Sequence, residues 1–409
     1  MSLLARLLRL VWGGEVDRAL RPVLAVSFAT SAALSTGWVF VGIWAVRELG
    51  ATSGQLGVAY LLAAVAGLLA GYLGGHVSDH VGRRPMILLG STLLSAVFCS
   101  YSFVGHHVLV GLGLMTLAGV GGSIGTGADQ AMVADLVPPE RHEAAYAAVR
   151  VTSNLGAAFG PPIGGLLLIG RHWPVLFTGV TLMGAASIVI AYRYLPRGGA
   201  YTPAGPPERG SFGAIARDRA FLAFLLSGAL SYLVYVAYET VLPISAVKVH
   251  GMAPSTWGFV VVINPLLVTL LQLRVTRAVE RYPRGPKLVT AMLLMGGSFL
   301  LLLVNGSVAM FVLVMVVFVV GEMLWVPTSQ AIAAALAPRD LRGAYMGAFG
   351  STAAVGFALG PFTGLLLLGQ YGEDAAWYFF AAVSVVAAAA GASAVRGTVE
   401  RRREVPSVA

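Results

Sequence analysis

Apolar residues run along this chain in long blocks that charged residues interrupt only at the ends. Positions 22–46, 86–104 and 108–128 hold no Asp, Glu, Lys or Arg, and each block approaches or exceeds the ~20 residues that carry a helix across ~30 Å of hydrocarbon. The blocks do not alternate apolar with polar as the strands of a membrane barrel do, so the spanning elements are predicted to be helices. Apolar runs bounded by charge, Gly and Pro predict twelve spans, at 22–46, 54–75, 84–104, 108–135, 145–169, 173–195, 219–247, 255–275, 286–305, 308–336, 343–369 and 375–395.

The widest gap between spans, 196–217, is rich in Pro, Gly and Arg and divides the spans six and six, as a flexible linker would. Three segments follow: an N-terminal six-helix bundle over 1–195, the linker, and a C-terminal six-helix bundle with a short tail over 218–409. The halves also repeat at an offset of about 200 residues. Gln130-Ala131 matches Gln330-Ala331, Pro138 matches Pro338, and Gly156, Gly160-Pro161 and Gly164 match Gly356, Gly360-Pro361 and Gly364. Two parallel halves with an even number of spans are a transporter architecture in which substrate binds near the bilayer midplane. The predicted fold class is an all-α integral membrane protein of two pseudo-symmetric bundles.

Composition narrows this further. Apolar residues make up 57% of the chain and charged ones 11%, against roughly a quarter charged in soluble domains. Segment 1–21, with Arg6, Arg9, Arg18 and Arg21 among leucines, is expected to lie as a helix on the membrane surface. The first span is too long for a signal peptide and is expected to be retained. The only cysteine, Cys99, excludes an intrachain disulfide and a thiolate metal cluster. The net charge of +9 resides in short loops and not on one soluble face, which argues against nucleic acid. If both termini face the cytoplasm of a cell-membrane protein, every Lys and Arg except Arg47, Arg171 and Lys248 falls on the inner side, as the positive-inside rule requires.

The segment between the second and third spans reads Gly75-His76-Val77-Ser78-Asp79-His80-Val81-Gly82-Arg83-Arg84-Pro85-Met86. This resembles the signature loop of the major facilitator superfamily: Gly, Asp four later, Gly three after that, then two basic residues. Glu280-Arg281-Tyr282-Pro283-Arg284-Gly285-Pro286 is a degraded second copy. The resemblance implies that Asp79 meets the start of the eleventh span near Arg342, that the loop arginine pairs with Asp135, and that these contacts hold an inner gate. A carboxylate beside a helix N-terminus is also favoured by the dipole. The fifth span carries Gly156-Ala157-Ala158-Phe159-Gly160-Pro161-Pro162-Ile163-Gly164-Gly165, which resembles the superfamily's antiporter signature and so implies an exporter. Gly360-Pro361-Phe362-Thr363-Gly364 is its counterpart in the eleventh span. Small residues there let helices approach closely, and the prolines remove backbone donors. One departure stands out: the arginine that the superfamily often carries in its fourth span is absent, with Ala118, Gly121 and Gly122 in the best-matching register.

Acids within spans are the remaining candidates for proton coupling, because a charged carboxylate in hydrocarbon is costly and is seldom kept without a function. Asp129, Glu239 and Glu322 qualify, Glu322 lying roughly 21 Å from the outer start of its helix at 1.5 Å per residue. The pattern resembles the twelve-span multidrug/proton antiporters of the superfamily, lactococcal-type exporters included. That implies an aromatic cavity for lipophilic cations, with Trp38, Phe40, Trp44, Tyr60, Tyr232, Tyr235, Tyr238, Asn264 and Trp325 as candidates. His76, His80, His106 and His107 lack a third partner for a metal, and no Walker loop exists for ATP. The expectation is a monomeric, non-enzymatic carrier without cofactor, exchanging inward protons for outward amphipathic drugs or antibiotics. A carrier of one defined solute, such as a sugar or siderophore, and a lipid-moving or enzymatic protein on the same scaffold are the alternatives.

Overall fold

The computed structural model describes residues 18–137, 142–170, 172–197, 211–338 and 341–404, without the side chains of some of them, among which are His76, Asp79 and Arg342. Every regular element among the described residues is helical. The long ones are α1 (Arg21–Arg47), α2 (Ser53–Val81), α3 (Arg83–Tyr101), α4 (Val108–Leu136), α5 (His142–Leu167) and α6 (Trp173–Tyr194). After a short helix, Ser211–Arg217, come α7 (Arg219–Ile244, with a π-helical end Ser245–Val249) and α8 (Pro254–Val261, then Ile263–Ala278). The last four are α9 (Arg284–Ser298, with a 3₁₀ end Phe299–Leu303), α10 (Val308–Leu336), α11 (Arg342–Tyr371) and α12 (Glu373–Glu404).

Eleven of these are long and apolar enough to cross a membrane. The exception, α5, has 26 residues, but Arg150 and the Gly, Pro, Ser, Thr and Asn residues around its motif dilute its hydropathy. Three details differ from the sequence reading. The segment Gly75–Val81, expected as a loop, continues α2, and the chain reverses only at Gly82, whose φ of 96° is a conformation that glycine tolerates. The eighth span is interrupted at Val262, and α12 runs on well past 395. Most of the predicted surface helix 1–21 and positions 198–210 of the linker lie outside the described residues.

Contacts group the chain into two compact units. The first comprises Met1–Ala51, Leu62–Ala204 and Ala253–Thr269; the second comprises Thr52–Leu61, Gly205–Met252 and Leu270–Ala409. In the first unit α1 packs along α5 and α6, and α3 packs on α4 and α6. In the second, α7 packs along α11 and α12, and α9 packs on α10 and α12. Adding six to each helix number converts one pattern into the other, so the sequence repeat is also a packing repeat.

Small residues make the closest contacts. Along α5, a Cβ at Gly160 would stand 2.6 Å from the backbone nitrogen of Thr36 and 2.9 Å from the carbonyl oxygen of Ala32, both on α1. Gly156 and Gly164 abut the same helix, and Gly165 meets the carbonyl oxygen of Ser255 at the start of α8. In the second unit Gly356 and Gly360 lie against Tyr232 and Leu233 of α7. Lipid is as apolar as leucine, so such backbone approach, with its dispersion contacts, does in a bilayer much of what hydrophobic burial does in water. An aromatic core backs it: Trp44 packs against Tyr101 at 4.9 Å and Phe177 at 5.1 Å between ring centroids.

A side chain added at Gly160 must therefore push α1 and α5 apart. Gly160→Val is expected to destabilise the first unit by about 1–3 kcal/mol, the usual cost of overpacking, and to lower the thermal midpoint of the purified protein. Gly122→Ala, where a Cβ meets nothing within 4 Å, is expected to leave that midpoint unchanged.

Candidate functional site

The second unit brings together most of the predicted chemistry. Tyr232, Tyr235, Tyr238 and Glu239 recur at helical spacing on one stripe of α7, and Phe318, Glu322 and Trp325 do so on α10. The stripes face each other. Tyr232 and Tyr235 lie 4.8 and 5.9 Å from Trp325, Tyr238 lies 4.9 Å from Phe318, and Tyr235 and Tyr238 are 5.3 Å apart, all between ring centroids. These separations suit edge-to-face and tilted aromatic pairs, whose geometry holds the rings in place. Glu322 is one turn from both Phe318 and Trp325, so its carboxyl shares the aromatic wall. Glu239 and Glu322 lie within electrostatic range of each other, Tyr238 is within hydrogen-bonding reach of Glu239, and Tyr60 also feels the charge of Glu239. Two partly exposed carboxyls among electron-rich rings form a region suited to cations or protons.

The first unit holds the other candidates. Asp129 on α4 buries its Oδ1 with no hydrogen-bond partner among the described residues, and no described bond joins it to Asp135. Asp135 instead accepts from Arg83 Nε at 3.1 Å, while Arg83 Nη1 donates to Ser78 Oγ at 3.1 Å, so one buried guanidinium ties the end of α2 and the start of α3 to the end of α4. The next residue, Arg84, donates to the Tyr192 carbonyl and lies 5.1 Å above that residue's ring. The side chains of Asp79 and Arg342 fall outside the described set.

Two aromatic candidates belong elsewhere. Trp44 is only 4% exposed and sits in the aromatic core of the first unit, because its neighbours on α3 and α6 are aromatic too. Phe40 is fully buried, wedged beside Gly164 and Gly258. Trp38 is half-buried and Asn264 buried, both in the first unit, apart from the acids of the second.

Some contributors, or the partners they meet, escaped the sequence reading. Arg284 holds the place of Arg83 in the degraded motif, but Ala335 replaces Asp135, and Arg284 Nη1 donates to the Ala331 carbonyl on α10 at 3.4 Å instead. Gly258 accommodates the Pro161 carbonyl, 2.7 Å from where its Cβ would be, and Gly57 accommodates the Pro361 carbonyl at 3.4 Å. Gly57 and Gly258 obey the same repeat offset as the motifs, which was the available signal.

Known proteins bear on this arrangement. The family model described as Major Facilitator Superfamily matches residues 23–289 and 224–408. A Na(+), Li(+), K(+)/H(+) antiporter of Planococcus maritimus is 23% identical, over 84% of this chain and 88% of its own. Multidrug resistance protein MdtH of Escherichia coli is 27% identical, over 68% of this chain and 69% of its own. Among solved structures, a POT family transporter in complex with 5-aminolevulinic acid has the same fold, with a TM-score of 0.76 and 18% identity over 91% of this chain and 95% of that one. With a duplicated six-helix packing pattern, the Arg83–Asp135 motif pair and a family match along nearly its whole length, the chain belongs to the Major Facilitator Superfamily as a multi-pass, non-enzymatic secondary transporter.

Proposed function

We propose that this protein is a proton-coupled antiporter of the cell membrane that exports small amphipathic compounds, lipophilic cations foremost, by alternating access. The observation that carries this reading is the pairing of Glu239 and Glu322 with Tyr232, Tyr235, Tyr238, Phe318 and Trp325 in the second unit. A carboxyl in such surroundings is charged only when a cation or a polar environment compensates it, so substrate cation and proton compete for the same group. Aromatic faces add attraction for an organic cation, about 0.5–2 kcal/mol for each well-placed ring. Export accords with the Gly156–Gly165 motif, and cytoplasmic termini accord with the positive-inside distribution of Lys and Arg.

An alkali cation, the cargo named for the Planococcus relative, is a second reading, which the unpartnered Asp129 Oδ1 keeps open. Alkali cations favour several oxygen ligands, whereas aromatic rings surround Glu239 and Glu322. The organic-cation reading is therefore preferred at those acids.

In proteoliposomes with an imposed acid-inside gradient, a lipophilic cation is expected to move with counterflowing protons. Glu322→Gln should abolish that coupling in a protein that still purifies as a folded monomer; normal proton counterflow in this variant would remove Glu322 from the mechanism. Tyr235→Leu is expected to weaken binding of a quaternary ammonium compound about 2- to 30-fold, the span of one cation–π contact, while Tyr235→Phe stays near wild type. Equal affinities in all three proteins, measured by titration calorimetry, would refute the aromatic part of the site.

A further inference from the structure

Pro327 lies inside α10, five residues beyond Glu322. Its ring nitrogen carries no hydrogen, so the helical bond from position 327 back to the carbonyl of Met323 cannot form, and the ring pushes that carbonyl aside. A bilayer interior offers no water to such a carbonyl. Gln272, on the second segment of α8 and within the same unit, supplies the missing donor. Its Nε2 donates to the Met323 carbonyl at 3.0 Å and to the Thr276 hydroxyl, one turn along α8, also at 3.0 Å. Because a carbonyl oxygen only accepts, the amide must present its NH₂ side, and with both hydrogens engaged its orientation is fixed.

Met323 directly follows Glu322 and is buried. From this geometry we infer that Gln272 is a positioning residue: it clasps the proline-made gap in α10 and thereby sets the direction in which Glu322 presents its carboxyl. The clasp also ties α8 to the helix that carries the acid, so a shift of α10 on protonation of Glu322 strains or frees α8 through one hydrogen bond. This rests on the reading of Glu322 as a coupling acid.

The test measures substrate-dependent proton flux and its pH profile in proteoliposomes. Gln272→Leu keeps the volume and removes the donor. It is expected to cut coupled proton flux about fivefold, the factor that one hydrogen bond of about 1 kcal/mol carries, and to displace the pH profile. Pro327→Ala restores an N–H that closes the Met323 bond within α10, so Gln272→Leu added to that background is expected to have no further effect, a non-additivity that a general loss of packing would not produce. An unchanged flux and profile in Gln272→Leu, or an equal loss with and without Pro327, overturns the clasp. Glu322→Gln run alongside separates the two ideas: proton flux retained there overturns the coupling reading and the clasp with it, whereas flux lost there and untouched in Gln272→Leu overturns the clasp alone.

Discussion

A bilayer interior supplies no water to a bare carbonyl, amide or carboxyl, and this one constraint organises the molecule. It makes every regular element among the described residues a helix, whose backbone bonds close on themselves. It also leaves helices little hydrophobic reason to associate, so association falls to glycine faces that let α5 lie against α1 and α11 against α7. Where a proline breaks the helical ladder at Pro327, a side chain from another helix completes it. Where a guanidinium is buried, a carboxylate and a hydroxyl meet it, as Asp135 and Ser78 meet Arg83. Carboxyls set among aromatic rings within the spans, as Glu239 and Glu322 are, strain this solvent rule most, and proton movement is the natural use of such a position.

Much of the fold was legible because hydrophobic runs of membrane length have few alternative readings. The repeat offset added what hydropathy alone could not: α5 falls below a simple span criterion, yet its Gly-Pro pattern recurs in α11 and marks it as an equivalent element. Local departures were hidden because they depend on backbone detail. Nothing between Gly75 and Val81 forbids helix, and only the positive φ of Gly82 decides where α2 stops.

The site was partly legible. Glu239, Glu322, Tyr235, Tyr238 and Trp325 were selectable as polar or aromatic residues within spans, but that they share facing stripes of α7 and α10 emerged only from the structure. Trp44 carries the same sequence signal but belongs to a packing core, since a tryptophan beside a cavity and one among buried rings look alike until their neighbours on other helices are known. Gln272 was hidden for the opposite reason, as was the partner of Arg284, a residue legible only as part of the degraded motif. Each of these two side chains matters through a backbone carbonyl that it satisfies, and carbonyls have no letter in a sequence.

The central claim is that a cation and a proton compete for carboxyls embedded in an aromatic wall of the second unit. Its most direct test is proton release from the purified protein in weakly buffered detergent solution when a lipophilic cation is added. Wild type should acidify the medium in proportion to the sites filled, and Glu239→Gln/Glu322→Gln should bind weakly and release none. Saturable binding with no acidification in wild type, or the same release from the double variant, would contradict it.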